Sequence, residues 1–283
     1  MIEIGSAAHK ELFCRQFKDS YQDYVPDRLP WPALDDAALQ RLRAVPFWQE
    51  VLHTERRAGA IVAAFTETVT DPLLKDAIAL QGFEEARHAD LLRVMIRRYG
   101  IDATEQPLEP IPADVETAFK DFGFGECVDS FLGFGVFKIA RQSGFLPESM
   151  FQIFDTLMFE ETRHIVFFIN WMAYREVAAG RGARWRRGAT ALRFYIRALK
   201  RLVGTARRGA AVNDGRNFSA TQASMFLDGF TFRRFLEDCY VENARRMRDF
   251  DAGLMRPSFL PALASMALAS LRLWSAGPRP QPR

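Results

Sequence analysis

The chain has four histidines, His9, His53, His88 and His164, and two of them stand in the same frame. Phe83-Glu84-Glu85-Ala86-Arg87-His88 is echoed by Phe159-Glu160-Glu161-Thr162-Arg163-His164. Each frame contains Glu-x-x-His. At i,i+3 on a helix the two side chains share one face a single turn apart, so both can reach one ion or a bridged pair of ions. Glutamate is only 17 of 283 residues, so two such pairs among four histidines, in a shared flanking frame, are not a chance outcome. The competing interpretation is a pair of solvated Glu-His contacts on a helix surface. Phe83 and Leu91 around the first pair, and Phe159, Val166 and Phe167 around the second, argue that both pairs face inward. Carboxylates buried without a cation cost several kcal/mol each. Two divalent ions remove that cost, so a metal centre is expected.

Such a centre in a four-helix bundle needs one more Glu from each of the other two helices. Glu55 lies 30 residues before Glu85, and Glu126 lies 35 before Glu161. Both spacings put the carboxylates mid-helix, at similar depth in a helical hairpin. Asp129, one turn after Glu126, competes for the third-helix place; Glu67 competes less well for the first, being close to the turn at Asp71-Pro72. The expected ligands are Glu55, Glu85, His88, Glu126, Glu161 and His164. Metal-bound imidazoles usually donate their other N–H to a carboxylate. Quasi-two-fold symmetry then sets Glu84 on His164 and Glu160 on His88, with Arg87 and Arg163 neutralising this outer ring.

The elements that must position these residues are helices. Residues 1 to about 45, with Pro26, Pro30 and Pro32 around Trp31, read as an irregular N-terminal arm. Helical spacing starts near Phe47, and Asp71-Pro72 is a helix-start signature. Helices are expected over about 47–70, 72–99, 114–142 and 148–178, making two hairpins joined by a proline-rich crossover. Further helices are expected at 184–208 and 221–250, followed by an apolar tail from 256 and a frayed proline-rich end. No strand alternation occurs, so the chain is expected to be one all-α domain, with its bundle at 46–178 and added helices at 184–255.

The pattern over 46–178 resembles the ferritin-like di-iron carboxylate superfamily, which includes ribonucleotide reductase small subunits, bacterioferritins, rubrerythrins and arylamine N-oxygenases. The resemblance implies a ferritin-like four-helix bundle with additional C-terminal helices. It makes Glu85 and Glu161 bridging carboxylates and Glu55 and Glu126 terminal ones, around two Fe ions, with Mn the alternative. Features of individual branches are missing. A radical-generating reductase subunit would carry a tyrosine where Leu92 or Phe168 stands. A rubrerythrin would carry CxxC, and an N-oxygenase an extra histidine where Leu157 stands. The expected activity is an O₂-dependent oxidase or oxygenase on a small hydrophobic substrate, served by an external electron donor. Iron oxidation and storage, or a di-manganese peroxide scavenger, are the alternatives. Phe65, Phe131, Phe134 and Phe168 are expected to wall the substrate pocket, although any one Phe is more often core.

Composition narrows the rest. A net charge of +3 with 26% charged residues is far from a nucleic-acid-coating protein. The three cysteines, Cys14, Cys127 and Cys239, are scattered, which argues against a zinc ribbon or a disulfide framework. No signal-like start and no apolar run of roughly 18 residues are evident, so a cytoplasmic protein is expected. Between Val177 and Asn213 there is no acidic residue, while ten basic ones lie within 181–208, Arg193, Arg197, Lys200 and Arg201 sharing one face and Leu192, Tyr195, Ile196 and Leu199 another. A helix docked on the bundle with a solvated basic face is the preferred reading. An anionic membrane, an acidic electron donor or a phosphate-bearing carrier are the alternatives. The apolar tail could cover the bundle, lie on a membrane or form a homodimer interface.

Overall fold

The computed structural model describes residues 2–211 and 231–275, and among them it is entirely helical, without a strand. The helices are α1 (Ala7–Asp19), α2 (Asp36–Ala44), α3 (Trp48–Thr66), α4 (Pro72–Tyr99), α5 (Val115–Gln142), α6 (Glu148–Ala178), α7 (Arg184–Ala211), α8 (Phe232–Arg246) and α9 (Phe259–Ser275). Residues 221–230 of the expected sixth helix, and the proline-rich end, lie outside the described residues. No helix among the described residues is long and apolar enough to cross a membrane.

Local chemistry sets the ends of the central helices. Asp71 caps α4 by accepting from the Leu74 amide at 3.1 Å, with Pro72 at the first helical position. Gly100, at φ +59°, closes α4 in the left-handed conformation that glycine adopts without strain. Asp114 caps α5 through the Thr117 amide at 3.0 Å. α3 pairs with α4 and α5 with α6, each across a short connection, and residues 101–114 cross between the two pairs. Gly123 of α5 sits directly under the Phe168 ring of α6, where a Cβ would collide with it.

Two apolar layers lie along these four helices. One holds Phe65, Phe119, Phe168 and Trp171, with Phe65 stacked on Phe119 at 4.3 Å between ring centres. The other holds Leu52, Leu92, Met95, Met150 and Phe151. On α4 the first layer stops at Ile78 and the second starts at Ala89; on α6 the second stops at Leu157 and the first starts at Ile165. The intervening turns carry Gln81 to His88 and Glu160 to His164, a polar slab between two dry ones.

Residues 1–45 differ from the irregular arm read in the sequence: they hold α1 and α2. Ser6 caps α1, and His9, Phe13, Cys14 and Phe17, at helical spacing, bury one face of it. Asp35 caps α2, which buries Ala38 and Leu42. The prolines that suggested irregularity are confined to the link between them. His9 is fully buried as an anchor, its Nδ1 accepting from the Gly5 amide at 3.2 Å and its Nε2 bonding Asn170 Oδ1 at 2.9 Å.

Candidate metal centre

Glu85, His88, Glu161 and His164 are all buried and could hold a metal ion, since each offers an atom within 4.8 Å of those of the others. His88 Nδ1 lies 3.0 Å from Glu161 and 3.9 Å from Glu85. His164 Nδ1 lies 3.1 Å from Glu85 and 3.7 Å from Glu161. Each glutamate therefore touches the histidine of its own helix and that of the opposite one, and the two imidazole centres are 5.5 Å apart. α3 brings Glu55 to 3.4 Å from His88 Nδ1, and α5 brings Glu126 close enough for the charges of Glu161 and Glu85 to act on its carboxyl. Of the six expected ligands, the four from α4 and α6 form the close cluster, with Glu55 of α3 at its edge and Glu126 of α5 beside Glu161.

Both expected competitors are exposed. Glu67 is exposed beyond the last turn of α3, 3.5 Å from Lys75. Asp129 reaches solvent, yet enough protein surrounds it that desolvation pushes its carboxyl up to about 6, with Arg201 opposing.

Around the cluster the outer carboxylates cross the bundle. Glu84 takes the Nε2 proton of His164 at 2.8 Å, and Glu160 takes that of His88 at 2.9 Å. Arg163 is 2.7 Å from Glu84 and also donates to Ser20 Oγ at 2.8 Å. Arg87 pairs closely with Glu160 and donates to Tyr21 at 3.2 Å. Tyr24 donates to Glu160 at 3.1 Å, its ring 3.9 Å from the Arg87 guanidinium carbon. Gln81 Nε2 donates to Glu85 at 3.3 Å. Of these, Gln81 was readable as the residue one turn before Glu85 on the same face. Ser20, Tyr21 and Tyr24 come from the proline-rich link and carry no periodic signal. Phe83, expected to face inward, is exposed and lies against Arg87 and Tyr21.

Those Nε2 bonds determine what the other ring nitrogens can do. Each Nε2 keeps its proton on a carboxylate, so a neutral ring presents a bare Nδ1 to the centre. Both Nδ1 atoms, with Glu85 Oε2, Glu161 Oε2 and Gln81 Oε1, are buried without a hydrogen-bond partner. Orphaned buried polar atoms are rare in native proteins, and here those of His88, His164, Glu85 and Glu161 belong to one cluster. Without a cation, protons must neutralise the slab. Burial lowers both imidazole pKa values, but the surrounding carboxylates override it and hold His88 and His164 well above 6.5. Burial and neighbouring carboxylates push Glu55 up to about 7 and Glu126 well above the ordinary range. Burial acts the same way on Glu161, yet the His164 and His88 imidazoles beside it hold it well below 4.5. Four carboxylates and two neutral imidazoles carry four negative charges, which two divalent ions cancel. The donor set fits such a pair.

The centre is more open on one side. His88, His164 and Glu85 are sealed, whereas Glu55, Glu126 and Glu161 keep some exposure. Along α5, Asp129 and Gly133 continue the azimuth of Glu126, and a Cβ on Gly133 would meet open space. The four phenylalanines expected to line a pocket are instead packed core residues. Phe65 and Phe168 pack on Phe119 and Trp171. Phe134 lies under Arg246, and Phe131, five residues past Glu126, points well round the helix from it.

No protein-family model, no curated protein and no solved structure matches the chain.

Proposed function

We propose that this chain is a ferritin-like di-iron carboxylate protein and that it works as an O₂-dependent oxidase or oxygenase on a small apolar molecule. The observation that carries this reading is the pair of orphaned Nδ1 atoms buried against Glu55, Glu85 and Glu161, each ring fixed from behind by Glu84 or Glu160. Carboxylate-rich ligation with two imidazoles suits iron or manganese better than zinc or copper. Two iron ions bound there would supply Lewis acidity and redox capacity toward O₂.

The protein's part is positional. Glu84 and Glu160 hold the Nε2 protons and keep both imidazoles in the donor tautomer. Arg163 and Arg87 offset the charge of those carboxylates in a dry interior. The apolar layers on either side exclude bulk water, and the α3/α5 side, where Glu55 and Glu126 retain exposure, gives a substrate and an external electron donor their approach. Three free, buried cysteines accord with a reducing, cytoplasmic setting.

The test is turnover. Protein loaded with ferrous iron under anaerobic conditions is given labelled O₂, a reductant and a panel of small apolar compounds, and products are read by mass spectrometry. Oxygen uptake coupled to an oxidised organic product, absent in Glu161→Ala, is the expected result. Iron loading far beyond two per chain without such a product would make it a storage protein. Oxygen release from peroxide by manganese-loaded protein would make it a scavenger.

A further inference from the structure

α7 carries more apolar surface than its docking uses. Phe194, Tyr195 and Ala198 are buried, with Phe194 stacked on Phe124 of α5 at 5.4 Å and Tyr195 on Phe259 of α9 at 4.5 Å. Leu192 and Ile196, grouped with Tyr195 in the sequence reading, are not part of that face. They are 44% and 42% exposed, Trp185 is 71% exposed and Val203 49%. At 3.6 residues per turn these four fall within about 20° of one line, and the ridge runs about 27 Å along the helix. Scattered exposed leucines need no explanation, but an aligned ridge containing an exposed tryptophan does.

What borders the ridge identifies its partner. Arg186, Arg193, Arg197 and Lys200 lie along one side, all exposed. Arg197 is paired with Asp121, whereas Arg186, Arg193 and Lys200 have no carboxylate partner among the described residues. No acidic residue occurs between Val177 and Asn213. A second copy of this chain would set these cations against the same cations. A neutral apolar partner would leave them unmatched. An apolar ridge, an interfacial tryptophan and a flanking cationic stripe on a helix too polar to span are together the pattern of a helix lying in the headgroup region of an anionic bilayer. α9, tied to the middle of α7 by the Tyr195–Phe259 stack, adds an uncharged outer face with Leu263 and Met266 exposed.

We infer that α7 docks the protein on an anionic lipid surface, with Trp185, Leu192, Ile196 and Val203 in the acyl boundary and Arg186, Arg193 and Lys200 on the lipid phosphates. This does not depend on the metal reading, because none of these residues touches the centre.

The full-length protein is sedimented with vesicles of phosphatidylglycerol and phosphatidylcholine, and separately with phosphatidylcholine alone. Binding at least about ten-fold stronger to the anionic vesicles, falling as salt is raised, is expected. The surface variant Leu192→Glu/Ile196→Glu should lose it while keeping the wild-type circular dichroism and melting temperature. Trp185→Phe should remove the blue-shifted part of the emission seen with vesicles. Equal binding to both vesicle types, no binding to either, or full binding by the Leu192→Glu/Ile196→Glu variant would each overturn the inference. So would a dimer in solution that this variant abolishes without any lipid binding by the wild type.

Discussion

The Tyr24 hydroxyl donates to Glu160 Oε2 at 3.1 Å, and that same oxygen takes the Nε2 proton of His88 at 2.9 Å. A residue from the link between α1 and α2 thereby bears on the orientation of a proposed metal ligand one carboxylate away. Tyr24→Phe removes this bond while keeping the ring under Arg87. A lost neutral-to-charged hydrogen bond of this kind costs about 1.5–3 kcal/mol at most. A drop of a few degrees in melting temperature and a several-fold weaker hold on iron in chelator competition are expected. Unchanged iron affinity would show that Glu160 is held without it.

Glu84→Gln should be more damaging. It leaves the buried Arg163 guanidinium without its carboxylate, a loss of about 3–5 kcal/mol for a broken buried pair. It also weakens the anchor on His164, for which a 10–100-fold loss of metal affinity is typical. Thermal melts of the metal-free protein report the first effect and chelator titrations the second. A variant that melts like the wild type would contradict the structural role given to this pair.

Metal binding and stability should depend on pH in opposite ways. In the metal-free protein His88, His164, Glu55 and Glu126 all hold protons more tightly than the unfolded chain does. Their stabilising contribution is complete below the unfolded values and is lost as pH rises through the folded ones. For Glu55 that window runs from 4.5 to about 7. Metal-free protein should therefore lose stability from these groups between about pH 5 and 8. Metal affinity should rise over the same range, because ions displace those protons. Melting curves of both forms across this range provide the check. Metal affinity that does not change with pH would exclude His88 and His164 as ligands.

Gly133 tests which side of the centre is open. Its Cβ position faces open space, and leucine is the better helix former, so Gly133→Leu should fold at least as stably as the wild type. Metal content should be retained, while extraction of iron by a bulky chelator should slow. Wild-type extraction kinetics would place the approach elsewhere.

Much of this was legible because helical spacing and local capping chemistry are short-range. Asp71-Pro72, Gly100 and the two Glu-x-x-His frames put α4 and α6 in register, and the cluster of Glu85, His88, Glu161 and His164 follows from that register. Glu55 and Glu126 could be picked out by hairpin arithmetic, although spacing alone did not exclude Asp129. Burial along α5 separates them: Glu126 is half-buried beside Glu161, whereas Asp129, one turn further on, is exposed. Tyr24 was invisible, since nothing in a proline-rich link fixes where its side chains go until α1 has docked. Leu192 and Ile196 were misassigned for a related reason. The apolar arc of α7 is wider than the groove it fills, and a sequence shows the arc without the groove.

The most direct test is metal content per chain, by mass spectrometry, on protein purified from medium containing both iron and manganese. About two irons per chain are expected, and Glu161→Ala and His164→Ala should lose them while Glu67→Ala keeps them. No bound metal in the wild type, even after anaerobic reconstitution with ferrous iron, would contradict the account.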